Sequence, residues 1–238
     1  MRIAVIADIH GNLPAFEAVM KDIASRGLEG VVHLGDLVGH GPRPNEVVAA
    51  VKAQGITGVV GNYDLAVLGE DARQSAESLL KKPLSQAAWE TFLWTREHTS
   101  EESREFLKAL PAVFWIEEGS RKIAFVHGST EFPNEYLYPD TPQARFKELL
   151  DRSGADVLFA GHTHLPMARA VDGRLVVNPG SVGKPKDGDP RASYLIVDTE
   201  DGLRLATVRV TFDVESVAND CVESGLPKEL AEALRQGL

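Results

Sequence analysis

The sequence predicts an α/β fold built on a largely parallel sheet. Three observations predict it. Short apolar runs alternate with helix-spaced segments through the first 65 residues. Those runs are continuous rather than alternating, which marks strands buried on both faces. Beyond residue 112 the strands return at closer spacing, joined by turn dipeptides.

The elements run in order along the chain. Ile3 to Ala7 is the first buried strand. Leu13 to Ser25 has helical spacing, with Phe16, Val19, Met20 and Ile23 on one face, and Gly27 is a suitable stop. Val31 to Leu34 is a second strand. Asn45 to Ala53 is a second helix, entered through Pro42 and Pro44, and Ile56 to Val60 is a third strand. This βαβαβ order implies right-handed crossovers. Residues 65–110 differ, being rich in Ala, Leu, Glu, Lys and Gln with no clear strand. They read as a helical insertion, either a cap beside a site or helices packed on one sheet face. Val113 to Glu117 and Lys122 to Val126 flank a turn at Gly119, and Thr141 to Arg152 is a helix. Asp156 to Ala160 is a strand. Pro166 to Val171 and Leu175 to Val177 form a hairpin around Asp172-Gly173, a dipeptide suited to a type I′ turn. Ser193 to Asp198 and Leu203 to Thr211 pair around Asp201-Gly202. The tail over 213–238 is helical, punctuated by Gly225 and Pro227. No repeat or linker is evident, so residues 1–238 read as one domain.

Composition narrows the function. Lys plus Arg is 25 against 35 Asp plus Glu, a net charge of −10. A chain this acidic is not expected to hold long nucleic acid through a basic face. The single cysteine, Cys221, excludes an internal disulfide and a thiolate metal cluster, in keeping with a reducing cytosol. MRIAVIADIH lacks the apolar core of a signal peptide. No stretch approaches the roughly 18 apolar residues of a membrane span. A soluble cytoplasmic protein with no membrane partner is expected.

The informative residues stand just past the strands. IAVIA leads into Asp8-Ile9-His10, VVHL into Gly35-Asp36, and GVV into Gly61-Asn62-Tyr63-Asp64. IAFV leads into His127-Gly128, and ADVLFA into Gly161-His162-Thr163-His164. In open α/β sheets, ligands bind at the carboxyl ends of strands. Singly, each motif has a bland reading as a turn or a satisfied core histidine. Jointly, in order and all at strand ends, they do not.

The chemistry of the set restricts the ligand. Asp8 and Asp36, four imidazoles and the Asn62 amide form a mixed N/O set. Ca²⁺ and Mg²⁺ prefer oxygen-only shells. Mn²⁺, Fe, Co²⁺, Ni²⁺ and Zn²⁺ suit such a set. Seven side chains exceed one tetrahedral site and suffice for two divalent ions if a carboxylate bridges. Ions roughly 3.5–4 Å apart generate a nucleophile at neutral pH and clamp an in-line displacement at phosphorus.

The ordered motifs DIH, GDLVG, GNYD, VHG and GHTH resemble those of the calcineurin-like metallophosphoesterase superfamily. The likeness runs from Met1 to about Asp198. GDLVGHGPRPNEV and NPGSVGKPKDGDPRASY further resemble its small prokaryotic members, the compact phosphodiesterases and diadenosine tetraphosphatases. The resemblance implies a four-layer α-β-β-α sandwich with a helical insertion. It implies one ion held by Asp8, His10, Asp36 and His164. A second would be held by Asp36, Asn62, His127 and His162, with Asp36 bridging and Mn²⁺ favoured. It also implies in-line attack by a bridging hydroxide.

At the third motif many superfamily members carry a histidine that pairs with the following acid; here Tyr63 precedes Asp64. Tyr63 is a weak acid at an unperturbed pKa near 10, and His40 is one alternative donor, with a loop residue of no catalytic role as its ordinary reading. Asn12, Arg43, Lys184 and Lys186 are candidate substrate contacts, with helix capping the ordinary role of Asn12 and solvation that of the three cations. His33 and His98 read as structural, and Trp89 and Trp94 as core packing ahead of nucleobase stacking.

The expected function is hydrolysis of a small phosphodiester. Dinucleoside polyphosphates, nucleotides and phosphomonoesters are the alternative substrates. A metal-free interaction scaffold on the same fold is the alternative of another class, and it would lack bound metal. A protein Ser/Thr phosphatase fits poorly, because the loops offer little peptide groove. Two divalent ions less Asp8, Asp36 and one hydroxide leave about one positive charge at a single point of an acidic chain.

Overall fold

In the computed structural model, residues 1–80 and 84–238 are described. The first strand, β1 (Arg2–Ile6), serves two cores at once. Ile3, Val5 and Ala7 pack between two sheets, while Ala4 and Ile6 face helices. That period of two, apolar on both faces, is the continuous run seen in the sequence.

The first half alternates as expected: α1 (Leu13–Ser25), β2 (Gly30–His33), α2 (Pro44–Ala53) and β3 (Thr57–Gly58). β3 is shorter than the predicted 56–60. Val59 N–H still bonds His33 O at 3.1 Å, but Val60 N–H turns away to Pro111 O at 2.9 Å. Four helices come next: α3 (Asn62–Leu68), α4 (Ala72–Leu79), α5 (Gln86–His98) and α6 (Glu101–Ala109). Helix therefore begins three residues before the predicted insertion, because the third motif forms the first turn of α3. The rest runs β4 (Val113–Glu118), β5 (Arg121–Val126), α7 (Gln143–Ser153), β6 (Val157–Ala160), β7 (Met167–Val171), β8 (Arg174–Asn178), β9 (Ala192–Asp198) and β10 (Arg204–Val210). α8 (Val214–Glu223) and α9 (Lys228–Gln236) close the chain.

The strands form two five-stranded mixed sheets, ordered β10-β9-β1-β2-β3 and β4-β5-β6-β8-β7. β1, β2 and β3 are parallel, as are β5, β6 and β8. Ile3, Val5, Val32 and Leu34 meet Ile123, Phe125, Val157 and Phe159 between the sheets. Phe16, Val47, Val51, Phe92 and Leu107 cover the outer face of the first sheet. Phe146, Leu149 and Leu150 of α7 cover that of the second, against Ala124, Val126 and Leu158. The layers are therefore α-β-β-α. Phe92 and Leu107 sit in the helix-facing core of the first sheet, so α5 and α6 pack on that sheet face.

Trp94 donates from Nε1 to Ser224 O at 2.7 Å, tying α5 to the tail, and Trp89 lies 5.7 Å from Phe92. Both are packing residues. His98 stacks on Trp94 at 4.0 Å. No helix among the described residues is long and apolar enough to cross a membrane.

Candidate metal centre

Every strand that carries a motif ends at the same edge of the sandwich. Asp8 and His10 lie just past β1, Asp36 just past β2, and Asn62 opens α3 just beyond β3. These come from the first sheet. His127 lies just past β5, and His162 and His164 past β6, from the second. All seven side chains are buried.

The local backbone is unusual there. Among the described residues, seven non-glycine residues have positive φ, and six are Asp8, His10, Asp36, His40, His162 and His164, at +50° to +67°. Such conformations cost of order 1 kcal/mol each and persist where the surroundings impose them. Close glycine packing is part of that imposition. Gly35 sits at φ +86° so near Gly61 that a Cβ would meet Gly61 N at 2.5 Å. A Cβ on Gly61 would in turn collide with the Asp36 carboxylate.

Two clusters result, Asp8-His10-His164 and Asp36-His127-His162. Asp36 joins them. Its Oδ1 accepts from Tyr63 N–H at 2.8 Å. Its Oδ2 lies 3.7 Å from His10 Nε2 and 3.4 Å from His127 Nε2. Asn62 Oδ1 is 2.7 Å from His127 Nε2, which brings the amide into the second cluster. Asp8 Oδ1 faces His164 Nε2 at 3.5 Å, while its Oδ2 accepts from His162 N–H at 3.1 Å.

The ring orientations are set by backbone carbonyls that the sequence did not identify. Nδ1 of His10 meets Val38 O at 3.0 Å, that of His127 meets Leu34 O at 2.7 Å, and that of His164 meets Lys184 O at 2.5 Å. A carbonyl only accepts, so each of these Nδ1 atoms carries a proton and each Nε2 is the nitrogen left to face a ligand.

These residues fit divalent ions. His10 Nε2 and His164 Nε2 face each other at 3.2 Å, a separation that suits two ligands converging on a cation. Asp8 Oδ1 and His162 Nε2 are buried without a hydrogen-bond partner. Burial pushes the Asp8 carboxyl up to about 7 against the pull of His127. Burial also pushes His10 down to about 4, and His162 and His164 well below the usual histidine range. His127 is the exception: burial lowers its pKa, but the Asp36 and Asp8 carboxylates outweigh that and raise it to about 9. At Asp36 the effect of burial is in turn outweighed by His127, which holds the carboxyl well below the usual carboxylate range. A buried carboxyl that favours a proton, imidazoles that refuse one and a carboxylate steadied by a protonated imidazole form a pocket that a cation would satisfy.

The calcineurin-like phosphoesterase superfamily domain matches residues 1–202. The chain belongs to that superfamily. It is 34% identical over 252 residues to uncharacterised protein MJ0912 of Methanocaldococcus jannaschii, covering 99% of this chain and 98% of the relative. It is 32% identical over 202 residues to phosphodiesterase YfcE of Escherichia coli, covering 84% and 89% respectively. The crystal structure of a Sphaerobacter thermophilus metallophosphoesterase superposes with a TM-score of 0.82 at 31% identity, over 100% of this chain and 99% of that one.

A pocket opens over the clusters of this phosphoesterase. His10, Asp36, Asn62, His162 and His164 form its floor. His40, Tyr63, Tyr136 and Lys186 stand at its walls with Leu80, Leu84 and Ala88 from the insertion. The insertion thus covers a sheet face and also borders the pocket, so both readings of it apply.

Several expected site residues are directed elsewhere. Asp64 accepts from Val38 N–H at 3.1 Å and Gly61 N–H at 3.0 Å, so both oxygens brace the motif loops. Tyr63 lines the pocket, but its hydroxyl is buried near Thr95 and burial pushes its pKa far up. Asn12 caps α1 by accepting from Ala15 N–H at 3.1 Å and donates to Gly183 O at 2.9 Å. Arg43 pairs with Asp220 at 2.6 Å. Lys184 Nζ donates to Leu238 O at 3.1 Å, and burial with Lys186 nearby pushes it down to about 7. Lys186 reaches the pocket instead. The segment is loop and not extended strand, so residues two apart need not share a face, and Lys184 and Lys186 diverge. Tyr136 and the Leu80, Leu84 and Ala88 wall carry no motif, and no pattern in the sequence marks them.

Proposed function

We propose that this protein hydrolyses small phosphodiesters at a centre of two divalent transition-metal ions, with Mn²⁺ the favoured metal. The single observation that carries the reading is Asp36 Oδ2, which lies 3.7 Å from His10 Nε2 of one cluster and 3.4 Å from His127 Nε2 of the other. An oxygen so placed is suited to bridging. Asp8, His10 and His164 would hold one ion; Asn62, His127 and His162 would hold the other.

Bound there, the ions would supply a nucleophile at neutral pH and neutralise charge on phosphorus. The chain supplies the rest. Lys186 adds a cation at the wall, suited to a non-bridging phosphate oxygen. His40 packs edge-on against His10 at 4.7 Å and lines the pocket, where a ring N–H can donate to the departing oxygen. Burial holds His40 well below the ordinary histidine pKa, so as a neutral imidazole it offers that oxygen a hydrogen bond and not a proton. Leu80, Leu84 and Ala88 form an apolar wall that receives the organic substituent and excludes water. Similarity to phosphodiesterase YfcE favours diesters over monoesters and dinucleoside polyphosphates.

Chelator-stripped protein refilled with Mn²⁺ tests this. Turnover of bis-p-nitrophenyl phosphate above that of p-nitrophenyl phosphate and of a dinucleoside polyphosphate is expected. Inertness toward all three overturns the reading.

A further inference from the structure

Three of the four clustered imidazoles are oriented by a hydrogen bond from Nδ1 to a backbone carbonyl, at His10, His127 and His164. His162 differs. No hydrogen bond to a described residue holds its ring, and its Nε2 is buried without a partner. Its neighbours are flat rings. Tyr136 lies over it at 3.9 Å between centroids with a 35° tilt, and His127 meets it edge-on at 5.0 Å.

The Tyr136 ring is itself fixed. Tyr138 stacks on it at 5.4 Å and 4°. The preceding residue, Glu135, takes Arg145 through both carboxylate oxygens at 2.7 and 2.8 Å. Asn134 donates to Ser78 O at 2.8 Å, pinning the same loop to α4. A bidentate Arg–carboxylate pair gives geometric precision as well as energy. The loop therefore presents one aromatic face to one imidazole from a braced position.

We infer that Tyr136 is a positioning residue for His162: its ring replaces the carbonyl that orients each of the other three histidines. Stacking fixes the plane of the imidazole and with it the direction of the ring nitrogen that joins the Asp36-His127 cluster. The contact with the imidazole is made by the ring face, which a phenylalanine would keep. This rests on the two-ion reading.

The test is ion binding, followed by equilibrium dialysis and by electron paramagnetic resonance of the Mn²⁺-loaded protein. Wild type is expected to take two ions and give a coupled-pair spectrum. Tyr136→Leu fills similar volume without a flat ring. It is expected to weaken one ion by roughly 10–100-fold, the usual cost of losing an outer partner, and to show a single-ion spectrum where wild type is full. Tyr136→Phe is expected to match wild type within about twofold, on the same reasoning. Tyr136→Met serves as a second ring-free filler, with melting of the ion-free proteins checking the fold. Unchanged affinity for both ions in the folded Leu or Met variant overturns the inference. So does a Phe variant as weak as the Leu variant. Absence of ion binding by wild type overturns the two-ion reading itself, and this inference with it.

Discussion

Asp36 divides its two oxygens between different tasks. Oδ1 accepts from Tyr63 N–H, and Oδ2 stays between His10 and His127. An amide cannot do both, since its nitrogen would face either a donor or the ion seat. Asp36→Asn is expected to lower diester turnover by more than the roughly 100-fold upper cost of an outer-partner change. Near-wild-type rates in a steady-state assay would remove the bridging assignment. Tyr63 makes the opposite case. Its hydroxyl is buried without a hydrogen-bond partner and burial drives its pKa up, which makes it a weaker acid than an ordinary phenol. Tyr63→Phe is expected to keep kcat and the shape of the pH–rate profile. Its stability should change by about 1 kcal/mol or less, because an unsatisfied buried hydroxyl contributes little. A displaced acid limb would restore Tyr63 as the donor. The clustered residues were legible because each stands beside glycine or at a tight turn just past an apolar run. Asp64, Asn12 and Arg43 share that neighbourhood but are directed to backbone amides or to Asp220, and side-chain direction is not written in a motif.

At the scale of elements, the alternation of β1 to β3 with α1 and α2 was legible because each core strand is apolar on both faces. The division into two sheets was not legible from periodicity, since pairing partners lie far apart in sequence. It came from the resemblance alone. β3 shrank because its second half bonds Pro111, a partner beyond the insertion. How elements dock is equally hidden, and α1 is an example. Asp22 on α1 accepts from Arg26 at 2.7 Å and from Tyr194 Oη on β9 at 2.6 Å, bridging helix and sheet. The Arg26 hydrogen bond lowers the Asp22 pKa, partial burial opposes it, and Tyr194 assists. A carboxyl lowered in the folded state contributes stability above its ordinary value of 3.8 and loses it as pH falls through the folded value. Asp22→Asn is therefore expected to destabilise by about 0.5–1 kcal/mol at pH 7, modest because the pair is partly exposed. The difference should shrink below about pH 4, the region where the ordinary carboxyl protonates. Urea unfolding at the two pH values checks it, and a pH-independent difference would refute it.

For the whole molecule, the candidate ligands straddle the two sheets. Asp8 and His10 after β1 converge with His164 after β6, and Asp36 after β2 converges with His127 after β5. Each ion would therefore tie one sheet to the other across the inter-sheet core of Val5, Leu34, Phe125 and Phe159. Pulling either sheet away breaks both clusters, so the ions should bind the folded state and not the unfolded chain. Such a ligand stabilises by RT ln(1 + [L]/Kd), about 2.7 kcal/mol per independent site at a hundredfold excess over Kd. For a chain of this size each kcal/mol moves Tm by about 2–4 °C. Chelation is thus expected to lower Tm by several degrees, and titrating Mn²⁺ back should raise it with the logarithm of free ion. Asp36→Asn, which damages the shared position, should flatten that dependence while leaving the ion-free Tm close to wild type. The net charge of −10 adds nonspecific cation attraction, and salt separates the two effects: screening removes surface attraction within a Debye length of about 8 Å at 0.15 M. A Tm dependence that survives 0.15 M salt in wild type and is absent in Asp36→Asn belongs to the centre, whereas equal dependence in both proteins would show that the ions do not bridge the sheets at Asp36.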